Sequence, residues 1–257
     1  MTTTTEVRTV SALDSFWENV RTIIYALALA MLIRFTVAQP FRIPSGSMQP
    51  TLEQGDYIVV TKWSYGYSRY SFTPLDRFLP GGRIFGSEPK RGDIVVFRPA
   101  GQNRDFVKRL IGLPGDRIRM VNSVLHINGE PVARELIGER EAERLVMEND
   151  YRTTRVELYR ETLPNGASYL SFDERPNDRF DNSDEDFVVP EGHYFMMGDD
   201  RDNSQDSRTQ VVGMVPRDNL IGPAQFVFAS FDRSTSIFRP WTLFTGFRGE
   251  RFLKPLH

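Results

Sequence analysis

Three short segments hold residues that could do covalent chemistry. In Pro44–Leu52 (PSGSMQPTL) two hydroxyls, Ser45 and Ser47, flank Gly46. Either serine is a candidate nucleophile, and glycine permits backbone geometry that a nucleophile turn often uses. An ordinary Ser/Gly/Pro turn has the same composition. In Phe106–Asp116 (FVKRLIGLPGD) Lys108 stands among Phe106, Val107, Leu110 and Ile111. Strand alternation puts Lys108 on one face with Phe106 and Leu110 and turns Arg109 to water. An apolar setting desolvates the ammonium, lowers its pKa and leaves an amine able to act as general base. The alternative is a solvated lysine beside Arg109. The third segment, Met197–Arg208 (MGDDRDNSQDSR), crowds Asp199, Asp200, Asp202 and Asp206 against Arg201, Arg208, Ser204 and Ser207. A cation loop and a solvated charged turn both fit. The sixth-position glycine and late glutamate of an EF-hand are missing, so no metal is expected.

Composition narrows the chemistry further. Of 257 residues, 40% are hydrophobic and 26% charged, and 32 basic against 34 acidic residues give a formal charge of −2. This suits one large domain, or one with a sizeable insertion, plus an anchor. No basic excess argues for a nucleic-acid partner. The absence of cysteine removes disulfides, thiolate catalysis and Cys-type zinc sites. Three histidines, His126, His193 and His257, leave few candidates for a His-dependent mechanism.

The elements that must position these residues follow from the patterning. Residues 1–19 read as a polar tail, mobile at its start. Residues 20–38 read as a transmembrane helix: the uncharged core runs from Thr22 to Ile33, and Arg34 can snorkel to one interface. A buried soluble helix or a cleaved signal peptide would share this pattern. Beyond Gln39, Pro40, Pro44 and Pro50 exclude a continuous helix. Tyr57–Thr61, Asp93–Phe97, Phe106–Leu113, Phe187–Val189, Tyr194–Met197 and Gln225–Phe231 read as strands. Asn128–Gly129 between alternating runs predicts a hairpin. Residues 63–91 lack a period and read as a long surface loop, Glu135–Asn149 as a possible helix, and Asp173–Asp186 as a polar loop.

Together the motifs resemble the bacterial signal peptidase I family. SGSMQPTL matches its nucleophile motif, KRGDIVVF (Lys90–Phe97) its next strand, VKRLIGLPGD its lysine motif and GDDRDNSQDSR its final motif. The matching blocks run in the family's order from Phe41 to Asp232, with the charged insertion unmatched. One position departs: the final motif commonly reads GDN, and here Asp200 follows Asp199. The resemblance implies a mainly β fold, an antiparallel sheet or partial-barrel catalytic domain over residues 39–257. A β-rich subdomain is inserted at about 121–190, and one N-terminal transmembrane helix precedes the domain.

The family's chemistry carries over residue by residue. The resemblance makes Ser47 the nucleophile and Lys108 its general base. It gives the oxyanion to the Ser47 N–H and the Ser45 hydroxyl, has Ser204 orient Lys108, and makes Asp206 and Arg208 a supporting ion pair. Ile43, Pro44, Met48, Leu52, Phe106 and Val107 would line one substrate pocket, and Phe41, Ile58 and Val96 another. The partners implied are secretory preproteins and the lipid bilayer, with no nucleic acid and no cofactor, and the enzyme is expected to act as a monomer. It would sit in the bacterial inner membrane with the catalytic domain outside the cytoplasm. Trp63, Tyr65, Tyr67, Tyr70, Phe72, Trp241 and Phe244 are candidates for either the interface or core packing. Competing readings are a self-cleaving Ser–Lys repressor, which needs a DNA-binding domain where the apolar span stands, a tethered β binding module, and a catalytically dead homologue.

Overall fold

The computed structural model describes residues 12–73, 75–147, 150–174, 180–236 and 238–256. The start of the expected tail lies outside them. Helix α1 (Ala12–Thr36) begins well before Val20, because no proline or glycine interrupts the preceding residues. Within it, Ser15–Thr36 is long and apolar enough to cross a bilayer, with mean hydropathy 1.4, and the rest of the chain does not cover it. Its exit is held: the Tyr67 hydroxyl donates to the Thr36 carbonyl at 2.6 Å, and the Phe72 ring lies 6.1 Å from Phe35.

Strand β1 (Ala38–Arg42) follows at once, and β2 (Asp56–Thr61) returns after the serine turn. The stretch expected as a long loop contains β3 (Tyr67–Ser68), β4 (Arg83–Ile84) and two 3₁₀ turns. It is only partly a surface: Tyr65 is buried and Tyr70 packs on the core, while Trp63 is exposed. Next come β5 (Ile94–Phe97), β6 (Phe106–Gly112), β7 (Arg117–Val121), β8 (Val124–Ile127) and β9 (Glu130–Pro131). Asn128 and Gly129 form the expected β8–β9 turn, with φ of 56° and 87°, the left-handed pair that such a turn needs. Then follow β10 (Ala133–Met147), β11 (Asp150–Thr162), β12 (Ser168–Asp173), β13 (Phe187–Val188), β14 (His193–Met197), β15 (Val215–Pro216), β16 (Leu220–Ser230) and β17 (Lys254–Pro255).

The main sheet is eight-stranded and antiparallel, in the order β1-β2-β16-β5-β6-β14-β15, with β17 also on β16. Register shifts where β16 meets β2 and β5 bend this long strand, so the sheet curls into an open partial barrel. The fold is therefore mainly β, as expected. Residues 117–188 contribute two further sheets, β10-β11-β12 and β13-β7-β8-β9. The expected helix from Glu135 is instead β10, paired with β11 from Ala133 to Met147. Its Glu and Arg residues favour helix locally, but cross-strand pairing along a whole hairpin outweighs that preference.

Candidate active site

Ser47 sits in the turn after β1. The turn is closed by Gln49 N–H on the Gly46 carbonyl (2.9 Å) and Leu52 N–H on the Met48 carbonyl (2.9 Å). Met48 and Leu52 anchor it from below in a buried cluster. Gly46 is not in a left-handed conformation, contrary to the geometric role expected of it. Its missing side chain instead makes room for Gln49, whose Oε1 would lie 2.8 Å from a β-carbon there.

Lys108 comes from the middle of β6. Its Nζ donates to Ser47 Oγ at 2.6 Å and to the Val107 carbonyl at 3.1 Å. The side chain is 3% exposed. Burial lowers its pKa from the ordinary 10.5 to about 8, while Asp206 and Asp199 pull the other way. Among the described residues no carboxylate forms an ion pair with it, because each nearby Asp is taken by an arginine. Asp206 accepts from Arg208 Nε (2.9 Å) and Nη2 (2.8 Å). Burial opposes the Asp206 charge, but Arg208 and the Gly198 N–H outweigh it and hold its pKa below the usual carboxylate range. Asp199 accepts from Arg109 Nε and Nη2, both at 2.7 Å. Asp200 pairs with Arg144 of β10.

Arg109 thus does not point to water. It is buried, with its guanidinium 4.2 Å from the Tyr169 ring centroid and donating to the Gly92 carbonyl at 2.8 Å. The alternation along β6 is correct, but the insertion covers the second face. Arg201 binds Glu161 at 2.5 Å, and Tyr169 and Ser171 also donate to Glu161. Sequence reasoning missed Arg144, Glu161 and Tyr169 as neighbours of the final motif, since charges in a charged run carry no local sign of a distant partner.

Other expected residues fall as follows. Ser45 Oγ is 3.4 Å from Ser47 Oγ. The Ser47 N–H has no acceptor among the described residues. Ser204 is buried but does not bond Lys108; its hydroxyl lies close enough to Asp206 to help lower that pKa without a hydrogen bond of normal geometry. A β-carbon on Gly198 would lie 2.5 Å from the Ser47 carbonyl oxygen and 2.3 Å from Ser204 Oγ, so only glycine fits between them. Ile43, Met48, Leu52, Ile58 and Val96 are buried in one apolar cluster, with Phe41 and Val107 packed against it. Pro44 is exposed, and Phe106 packs on a second cluster. The half of β6 from Phe106 to Lys108 pairs with β5 only, because β14 joins from Arg109 onward. Among the described residues, the other edge of this half-strand, beside Lys108, therefore has no strand partner.

A hydroxyl hydrogen-bonded to a buried amine, next to an unoccupied backbone N–H and a free strand edge, is suited to acyl transfer on an extended peptide. The family model described as "Signal peptidase, peptidase S26" matches residues 16–229. Proteins named signal peptidase I from Rickettsia felis and Rickettsia akari are each 45% identical over 215 residues, covering 80% of this chain and 77% of theirs. A signal peptidase I structure from Enterococcus faecalis aligns at 26% identity and TM-score 0.30, covering 53% of this chain and 97% of its own. With the family model spanning most of the chain, and relatives this similar, the chain belongs to the signal peptidase, peptidase S26, family.

Proposed function

We propose that this chain is a membrane-bound endopeptidase that removes N-terminal signal peptides from secretory preproteins, with Ser47 as nucleophile and Lys108 as general base. The observation that carries this reading is the 2.6 Å contact between a buried lysine and Ser47 Oγ. Neutral Lys108 accepts the Ser47 proton as Oγ attacks the scissile carbonyl. The Ser47 N–H and the Ser45 hydroxyl stabilise the oxyanion. The Lys108 ammonium returns its proton to the leaving amine, giving an acyl-enzyme. Water, deprotonated by the same lysine, then releases the acid. Asp206 and Arg208 brace the loop.

The preprotein lies extended along the open edge of β6, so backbone hydrogen bonds supply affinity. Small residues at −1 and −3 enter shallow apolar depressions walled by Phe41, Pro44, Phe106 and Val107. Ile43, Met48, Leu52, Ile58 and Val96 form the floor, which is why large side chains are refused. Residues 39–257 make up the catalytic domain on the extracytoplasmic side of the inner membrane, and the enzyme acts as a monomer. Exposed Trp63, Phe85, Phe238, Trp241 and Phe244 suit insertion into the interface. The test is cleavage of a purified preprotein in lipid, with the cut located by mass spectrometry. A cut after a small residue that vanishes in Lys108→Ala supports the assignment. No cut by wild type across several preproteins would favour a tethered binding module, and a cut persisting in Lys108→Ala would remove the lysine from the mechanism.

A further inference from the structure

Asp200 joins two parts of the molecule. Its backbone N–H donates to the Ser47 carbonyl at 3.2 Å, and its backbone bridges to Phe172 of β12. Its side chain is completely buried and faces the Arg144 guanidinium from β10. Asn203 adds a weaker bond from Nδ2 at 3.3 Å. A buried carboxylate without a cation is strongly unfavourable, and so is a buried guanidinium without an anion. The next carboxylate near Arg144, Glu174, is 3.7 Å away and more than a third exposed. Asp200 thus stands between the Arg144 guanidinium and the carbonyl of Ser47.

We infer that Arg144 and Asp200 are a charge-matched positioning pair through which the inserted β10–β11 hairpin sets the placement of Ser47 against Lys108. This rests on the peptidase reading above. Neither residue touches the reacting atoms; each acts through the backbone beneath Ser47. The insertion is then part of the catalytic geometry, and the acidic residue at position 200 and the arginine at position 144 are matched to each other.

The test uses the full-length protein in lipid, with kcat and KM for preprotein cleavage and the folded fraction from thermal melting. Arg144→Met should lower kcat per folded molecule at least tenfold with KM within about twofold. Asp200→Asn, which leaves the guanidinium buried without its anion, should lower kcat less. The double variant Arg144→Met/Asp200→Asn should return to within about threefold of wild type, because neither charge is left alone. Wild-type kcat in Arg144→Met would overturn the inference, as would a loss carried by KM or a double variant no better than the worse single. If Arg144→Met does not fold, the comparison of Asp200→Asn with the double variant decides the same question. Wild type and Ser47→Ala run beside them: an inactive wild type, or an active Ser47→Ala, sinks the peptidase reading and this inference with it. Normal controls with insensitive pair variants sink the inference alone.

Discussion

Among the described residues two lysines are buried, and they behave alike until their neighbours are considered. Lys62, just after β2, is completely buried, and Lys108 is 3% exposed. Burial brings each from 10.5 to about 8. Lys62 Nζ donates to the Ser71 carbonyl. Lys108 Nζ donates to Ser47 Oγ. A carbonyl has no proton to give, so a neutral Lys62 has nothing to accept, whereas a neutral Lys108 faces a hydroxyl that becomes a nucleophile on losing its proton. Desolvation weakens a lysine's hold on its proton, so that a neutral amine is available as a base nearer neutral pH; the atom opposite decides whether that amine does anything.

The sharpest way to break this contrast is mutation of the pair itself. Ser47→Ala and Lys108→Ala should each remove nearly all cleavage, roughly a thousandfold or more, and the double variant should be little worse because the two act as a unit. Lys62→Met should stay within a few-fold of wild type on a soluble peptide; a loss matching that of Lys108→Ala would dissolve the distinction. Next in size is Gly198→Ala. Its methyl would collide with the Ser47 carbonyl oxygen and Ser204, and kcat should fall about a hundredfold while the melting temperature changes modestly.

Titration sharpens the comparison further. The acid limb of kcat/KM should have its midpoint near pH 8, the Lys108 value, and should not move in Lys62→Met. Stability carries the same signature. Between pH 8 and 10.5 the unfolded chain holds more protons on Lys108 than the folded one, so stability from this group rises with pH across that window, and below pH 8 its full cost is present. Lys108→Met should therefore gain up to about 3 kcal/mol at pH 7, a margin that shrinks by pH 10. Thermal melting at both pH values reads it, and no gain at pH 7 would mean that the ammonium is well solvated. The smallest effect should come from replacing all three histidines. Among the described residues, the His126 and His193 rings hydrogen-bond to carbonyls two residues away, far from any role with Ser47, so most activity should remain. Its disappearance in a folded variant would count against a Ser–Lys mechanism.

Much of this was legible in the chain, and the exceptions share a cause. The strands around Ile94 and Leu110 and the Asn128–Gly129 turn follow from local pattern, and the proximity of Ser47 to Lys108 is what the family resemblance implies. The face of Arg109 was read correctly as opposite Lys108, yet its surroundings were not, because they come from Asp199 and from Tyr169 some sixty residues on. The β10 strand was hidden because its buried face includes Arg144 as well as Ala142, so its alternation does not follow hydrophobicity. Charged residues that are buried against distant partners defeat any reading that equates charge with solvent.

The joint between α1 and β1 has a further consequence. With Tyr67 holding the Thr36 carbonyl and β1 beginning at Ala38, no slack separates the anchor from the sheet. A hinged domain would tumble above its anchor and sample many heights; one joined stiffly keeps only lateral diffusion and spin about the bilayer normal. On the peptidase reading proposed above, such a molecule would work as a depth gauge. The distance from the membrane at which a polypeptide is cut becomes a dimension of the protein, so lengthening the joint by a few flexible residues should blur where the cut falls before it slows the rate.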